Sequence, residues 1–225
     1  MFIAFYRSTV GKKVIMAVTG LIGIGFVILH VAGNLQAFEG QSKLNSYSAA
    51  LHGPLSEVLW ALRVVLLAAV ILHVTMAYQL TRRSAAARPI EYQRREPQVS
   101  TLAARTMKWG GVLLLVFIVF HILHFTTETF DPGHAAGMVD IHGDHDVYGN
   151  IVASFHVWWV AAFYIVAMMA LGLHLFQGAW SSIRTLGYAK PSDHPLHRRL
   201  ALIVAVAIWL GFTLVPVGVV AGVIH

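Results

Sequence analysis

Apolar residues in this chain come in long, nearly unbroken runs, unlike the alternation of a half-buried strand or the one-sided stripe of a surface helix. Five runs reach the about 20 residues that carry a helix across roughly 30 Å of hydrocarbon. They are Val14 to Leu35, Glu57 to Leu80, Met107 to Thr127, Ile151 to Ser181 and Leu200 to Ile224. The fourth is longer than a perpendicular crossing needs, which predicts a tilt or a projection beyond the membrane. The pattern predicts an all-α membrane protein, a five-transmembrane-helix bundle forming one domain over residues 1–225, with no soluble domain and no internal repeat.

Composition agrees: 57% of residues are apolar, 12% are charged, and the mean hydropathy is +0.69. The chain has no cysteine, which removes a disulfide framework, a Cys-ligated zinc or iron–sulfur site within it, and covalent haem attachment. The first run is full length and ends in His30-Val-Ala-Gly-Asn-Leu-Gln36, unlike the short core and small-residue cleavage site of a signal peptide, so it is expected to stay as a span. Phe2, Phe5 and Tyr6 precede it, and Trp109, Trp158, Trp159 and Trp180 lie near span ends, where interfacial aromatics belong.

The placement of charge orients the bundle. Arg7, Lys12 and Lys13 precede the first span. Arg82, Arg83, Arg88, Arg94, Arg95, Arg105 and Lys108 lie around the second connection, and Arg184, Lys190, Arg198 and Arg199 in the fourth. The first connection has Lys43 alone and the third has no Lys or Arg. The positive-inside rule therefore predicts a cytoplasmic N-terminus and an external His225. The sequence pI of about 9.8 reads as one basic face of a membrane protein, and a nucleic-acid partner is not expected.

Thirteen histidines stand against ten carboxylates, and four of them, His30, His73, His121 and His174, lie deep within different spans. Intramembrane ionisable residues are costly and mark function. A rise of about 1.5 Å per residue places His30 and His121 roughly 21 to 24 Å from the cytoplasmic end, and His73 and His174 about 10 Å from it. Two pairs at two levels fit bis-histidine ligation of two stacked haems, which without cysteine are non-covalent, b-type haems. The competing explanation is four separate hydrogen bonds between helices.

Further candidates share these levels. Gly20 and Gly111 lie near the inner pair, where a missing side chain lets a porphyrin approach, although ordinary helix packing explains them equally. Arg63 is level with the outer pair and is a candidate for a haem propionate, with snorkelling as the alternative. Arg184 is the matching candidate for the inner haem. His124 follows His121 by three residues on much the same face and is the rival ligand there; its extra depth matches His30 less well and assigns it to the surroundings of the haem or to a quinone pocket. His156 reads as interfacial. The His- and Asp-rich loop from Asp131 to Asn150 reads as solvated, its spacing matching no defined metal motif.

Several stretches then carry a family resemblance. They are Ser8-Thr-Val-Gly-Lys-Lys-Val-Ile-Met-Ala-Val-Thr-Gly20 leading into His30, Leu44-Asn-Ser-Tyr-Ser-Ala-Ala50, His73-Val-Thr-Met-Ala-Tyr78, Gly111 to His121, and His174-Leu-Phe-Gln-Gly-Ala-Trp-Ser181. The chain resembles the cytochrome b anchor of succinate:quinone oxidoreductases (succinate dehydrogenases and fumarate reductases) of the five-helix, two-haem, single-subunit type. The resemblance covers most of the chain except the Asp131 to Asn150 loop. It implies iron–sulfur and flavoprotein subunits docked on the cytoplasmic face of a bacterial inner membrane. Dicarboxylate chemistry then belongs to the flavoprotein, and this chain has no catalytic residue for it. It also implies haem pairing of the first span with the third and the second with the fourth, and menaquinone more often than ubiquinone.

Electrons arriving from the cytoplasm meet the inner haem first, so quinone is expected near the outer level, with Asn45, Tyr47, His52 and His124 as candidates. Loop capping is the plainer role for Asn45 and Tyr47. Rival readings are the two-haem anchor of a nitrate reductase or hydrogenase, a histidine-rich metal or proton transporter, and a structural anchor with no cofactor.

Overall fold

The computed structural model describes residues 2–87, 101–188 and 195–225. Among these, eight α-helices form and no β-strand, apart from one isolated bridge between Val139 and His145. They are α1 (Phe2–Arg7), α2 (Thr9–Asn34), α3 (Gln41–His52), α4 (Ser56–Ala86), α5 (Leu102–His121), α6 (Val147–His156), α7 (Trp158–Thr185) and α8 (Pro195–Val220). A 3-10 turn, Leu35–Glu39, prolongs α2, and a π-turn, Ile122–Thr126, prolongs α5. With those extensions, α2, α4, α5, α7 and α8 are the five helices long and apolar enough to cross a membrane, and the protein is an integral membrane protein. The basic residues Arg88, Arg94, Arg95 and Lys190 lie outside the described residues.

Local chemistry sets the first helix boundary. The Ser8 hydroxyl accepts the N–H of Gly11 at 2.8 Å and donates to the Phe5 carbonyl at 2.8 Å, capping α2 while closing α1. A β-carbon at Gly11 would lie 1.9 Å from the Phe5 carbonyl oxygen, so only glycine lets α1 fold back so tightly.

The fourth run departs from its expected form. The chain leaves the helical region at Val157 (φ −77°, ψ 102°), so the stretch from Ile151 to Ser181 is two helices, α6 and α7. Neither glycine nor proline marks the break. The His156 ring bonds the Val152 carbonyl at 2.8 Å, and the Val157 carbonyl accepts from Val160 and Ala161 at 2.9 and 3.2 Å to start α7 afresh. Turning α6 aside seats its polar residues Asn150 and Ser154, both buried, against polar partners; a straight span would carry them towards hydrocarbon.

α7 is the central helix, packed against α2, α5, α6 and α8, while α4 lies mainly along α2. The core runs through Phe117, Val160, Tyr164, Ala167, Val215 and Val219. Trp60, Leu67 and Ile71 on α4, and Trp109, Val112 and Val116 on α5, are exposed large apolar side chains of the kind lipid covers. The bundle has two unlike ends: a loop end, carrying α3, α6 and residues 128–146, and a basic end, where α2 and α5 begin and α4 and α7 finish.

Candidate functional site

α2 and α5 do not pack along one another, nor do α4 and α7. Across the first gap the rings of His30 and His121 meet with centroids 5.8 Å apart; across the second, His73 and His174 meet at 6.2 Å. All four side chains are only half-buried, so their rings are not packed tightly on every side. Two imidazoles bound through one nitrogen each to a single metal, at about 2 Å per bond, place their centroids about 6 Å apart. Both pairs have that spacing. Among the described residues no group of three or more His, Cys, Asp or Glu side chains converges as a metal site, so a metal held by either pair must bring its remaining ligands with it. A porphyrin iron does so, and needs only two axial imidazoles from the protein.

The loop-end pair sits in an aromatic cage. His30 stacks on Phe26 at 5.3 Å and meets Phe212 of α8 at 5.5 Å; His121 stacks on Phe117 at 5.7 Å and meets Phe125 at 5.8 Å. Such rings exclude water while leaving imidazole nitrogens free. His121 Nδ1 lies 3.3 Å from the Tyr164 hydroxyl, and the Asn34 amide, one turn beyond His30, donates to the His30 carbonyl at 2.8 Å.

The basic-end pair is held by backbone and by small residues. His73 Nδ1 lies 3.1 Å from the Met16 carbonyl and 3.3 Å from the Thr19 hydroxyl. A ring nitrogen donating to a carbonyl fixes the tautomer and leaves Nε2 as the lone-pair nitrogen. His174 Nδ1 is buried with no hydrogen-bond partner among the described residues. A β-carbon at Gly20 would lie 3.3 Å from His73 Cε1, and one at Gly111 3.7 Å from His174 Cε1. Each glycine thus clears room for an imidazole, a closer contact than the porphyrin approach expected from sequence. An apolar cleft of about 330 Å³, lined by Trp109, Gly110, Leu113, Val166, Met169 and His174, opens beside this pair.

No family model, curated protein or solved structure matches this chain. What the site can do therefore rests on its own geometry and chemistry.

The remaining sequence candidates scatter. Arg63 stacks over Trp60 at 5.0 Å with a guanidinium nitrogen 3.4 Å from His52 Nε2, and Arg184 is exposed over Trp180 at 5.6 Å; neither touches a histidine of the two pairs. Asn45, Tyr47, His52 and His124 do not share one pocket. Asn45 is buried and donates to Asp140 and Asp146 at 3.1 and 2.9 Å while accepting the Tyr148 N–H at 3.1 Å, so it ties α3 to the loop. His52 is exposed, bonded to the Ser48 carbonyl at 3.0 Å. Tyr47 packs against Gly33 and lines an open cleft of about 550 Å³ with Gln36, Glu39, Lys43 and Ser46. His124 is 1% exposed, with Nδ1 3.0 Å from Tyr164 Oη and Nε2 2.9 Å from Ser154 Oγ. Both of its nitrogens are engaged. The π-turn that begins at Ile122 aims it away from His30, towards α6 and α7.

Residues that sequence reasoning missed are Tyr164, Thr19, Phe26 and Phe212, together with Glu128, Asn150 and Ser154. Thr19 could have been found, since it precedes Gly20 on the face that meets His73. Tyr164 carries no local signal, because nothing near it in sequence shows which helix its hydroxyl meets.

Proposed function

We propose that this chain is the two-haem b membrane anchor of a succinate:quinone oxidoreductase, carrying electrons between an iron–sulfur subunit and membrane quinone. The observation that carries the proposal is the set of two imidazole pairs, each spanning unpacked helices at a centroid spacing that would let both rings bind one shared metal, 5.8 and 6.2 Å. Haem, when bound, supplies one-electron transfer through a bis-imidazole iron. The chain's own contributions are ligation by His30 and His121 at one level and by His73 and His174 at the other. The phenylalanine cage excludes water at the loop end, and Gly20 and Gly111 make room for the imidazoles at the basic end.

In this reading the N-terminus is cytoplasmic, and the iron–sulfur and flavoprotein subunits dock on the basic end of a bacterial inner membrane protein. Quinone, with menaquinone favoured, reacts nearer the loop-end pair. Of the four quinone candidates, Tyr47 faces the open cleft, whereas Asn45 and His124 are committed to internal bonds. The choice of succinate:quinone oxidoreductase over a nitrate reductase or hydrogenase anchor rests on the stretches Ser8 to Gly20, Leu44 to Ala50, His73 to Tyr78, Gly111 to His121 and His174 to Ser181. A histidine-rich transporter is disfavoured because among the described residues no carboxylate bonds any of the four paired histidines, and because the break at Val157 lies at a span end.

The test is a reduced-minus-oxidised spectrum of the purified protein with a pyridine haemochrome count and a search for a co-purifying flavin-containing subunit. Two b haems per chain with bound flavoprotein are expected. Absence of haem would sink the reading, and two haems with a molybdenum or nickel partner would redirect it to the rival cytochromes.

A further inference from the structure

A continuous run of hydrogen bonds leads from the surface of the loop end to the loop-end histidine pair. His145, exposed, pairs with Glu128 Oε1 at 2.7 Å. The Asn150 amide donates to the same oxygen at 3.0 Å, and Gly137 N–H donates to Glu128 Oε2 at 3.0 Å. Ser154 donates to Asn150 Oδ1 at 3.0 Å, and His124 Nε2 lies 2.9 Å from Ser154 Oγ. His124 Nδ1 lies 3.0 Å from the Tyr164 hydroxyl, which lies 3.3 Å from His121 Nδ1. Apart from its surface end the run is enclosed: Asn150, Ser154, His124 and Tyr164 are all buried.

The direction of this run is not free. An ionised carboxylate only accepts, so Asn150 must turn its NH₂ towards Glu128 and its oxygen towards Ser154. The single Ser154 proton goes to that oxygen, and so His124 must donate through Nε2. Neutral His124 then has a bare Nδ1, which takes the Tyr164 proton. The Tyr164 oxygen is left to accept, and the partner within reach is the Nδ1–H of His121. His121 Nε2 is therefore the lone-pair nitrogen. Reversing the run would put the proton on His121 Nε2 and leave no nitrogen there able to bind a metal.

We infer that Glu128 is a positioning residue for His121: acting through Asn150, Ser154, His124 and Tyr164, its carboxylate sets the tautomer that exposes Nε2 of His121 as a ligand. The backbone supports the assignment, because Glu128 is held at φ +52°, a left-handed conformation that a non-glycine residue keeps only when its surroundings demand it. The tautomer is a property of this chain alone; its consequence for iron ligation rests on the function proposed above. Ligand histidines are generally oriented this way, by what their second nitrogen meets.

The experiment uses the full chain labelled with ¹⁵N-histidine, before and after loading with haemin, with the His121 signals assigned by comparison with His121→Asn. Without haemin, the wild type is expected to show His121 as the Nδ1–H tautomer. Glu128→Gln, whose amide both donates and accepts, admits both directions and should show a mixture, as should Ser154→Ala, which cuts the run. His145→Gln, which leaves the carboxylate in place, should show the wild-type tautomer. On loading, haemin affinity at the loop-end pair should fall about ten- to hundredfold in Glu128→Gln, with the basic-end pair unchanged. An Nε2–H tautomer in the wild type, or the wild-type tautomer in both Glu128→Gln and Ser154→Ala, would overturn the inference. Equal loss at both pairs would overturn it too, by showing a general structural role for Glu128. A wild type that takes up no haemin would count against the proposed function, while the tautomers would still decide the relay.

Discussion

At the loop end His121 reaches Tyr164 and, through it, a run of side chains out to Glu128; at the basic end His73 reaches the main-chain carbonyl of Met16, and the run stops there. The surroundings differ in the same sense. The loop-end rings are enclosed by phenylalanines from α2, α5 and α8, whereas the basic-end rings lie against Gly20 and Gly111 and beside an open apolar cleft. A carbonyl inside a helix turn cannot change its role without breaking the helix, so His73 is fixed by the fold itself. His121 is fixed by side chains, any one of which a substitution can reverse or remove. The same pair geometry is therefore robust at one end and adjustable at the other.

The largest test of that contrast is loss of the paired histidines. His30→Ala and His121→Ala should remove one spectral component, and His73→Ala and His174→Ala the other, as read by redox titration and low-temperature spectra of each variant. Loss of a single shared component by His30→Ala and His73→Ala would show that the pairs are not separate sites. Next comes Gly20→Val. With a β-carbon already 3.3 Å from His73 Cε1, the added methyls have no room, and overpacking of about 1 to 3 kcal/mol should displace the basic-end component alone. Gly111→Val, whose β-carbon would sit at 3.7 Å, should do less. Thermal inactivation and the spectra of both variants would rank them.

Smaller effects distinguish how each ring is held. Tyr164→Phe leaves two buried histidine nitrogens without their partner and should cost about 1 to 3 kcal/mol, with the spectral change confined to the loop end. Thr19→Val removes one contact to His73 but spares the Met16 carbonyl, and should cost only about 1 kcal/mol. If Thr19→Val proved the more damaging of the two, the distinction between backbone and side-chain control would fail.

The smallest effect is one of pH. The Asp140 carboxyl is held below the usual carboxylate range, chiefly by the His142 N–H, with the Asn45 amide and the Asp144 N–H adding to it and desolvation opposing. A depressed carboxylate contributes stability that is present above its unfolded value of about 4 and lost as pH falls through the lower folded value. Proteolysis of residues 128–146 should accordingly accelerate only below about pH 4. The basic-end spectrum should not change over that range, because Asp140 belongs to the loop end.

Most of the fold was legible in the chain, because a hydrocarbon solvent forces spanning segments to be helical and long, and apolar runs reveal both. The five spans could be read this way. Several helices run a turn or more beyond the apolar runs, because polar ends such as the one capped by Ser8 continue the helix past the apolar stretch. The break at Val157 could not be read, since it arises where Asn150 and Ser154 find partners in Glu128 of the loop and His124 of the π-turn, and no glycine or proline announces it. The depths of His30, His73, His121 and His174 followed from a constant helical rise, which is a one-dimensional quantity. Which rings face each other depends on helix rotation and neighbours, as do the seating of Gly20 against His73, the dispersal of Asn45, Tyr47, His52 and His124, and the run from Glu128 to His121. These contacts between elements include pairs 103 positions apart, such as Asn45 and Tyr148, and only the packed bundle brings such residues within hydrogen-bonding distance.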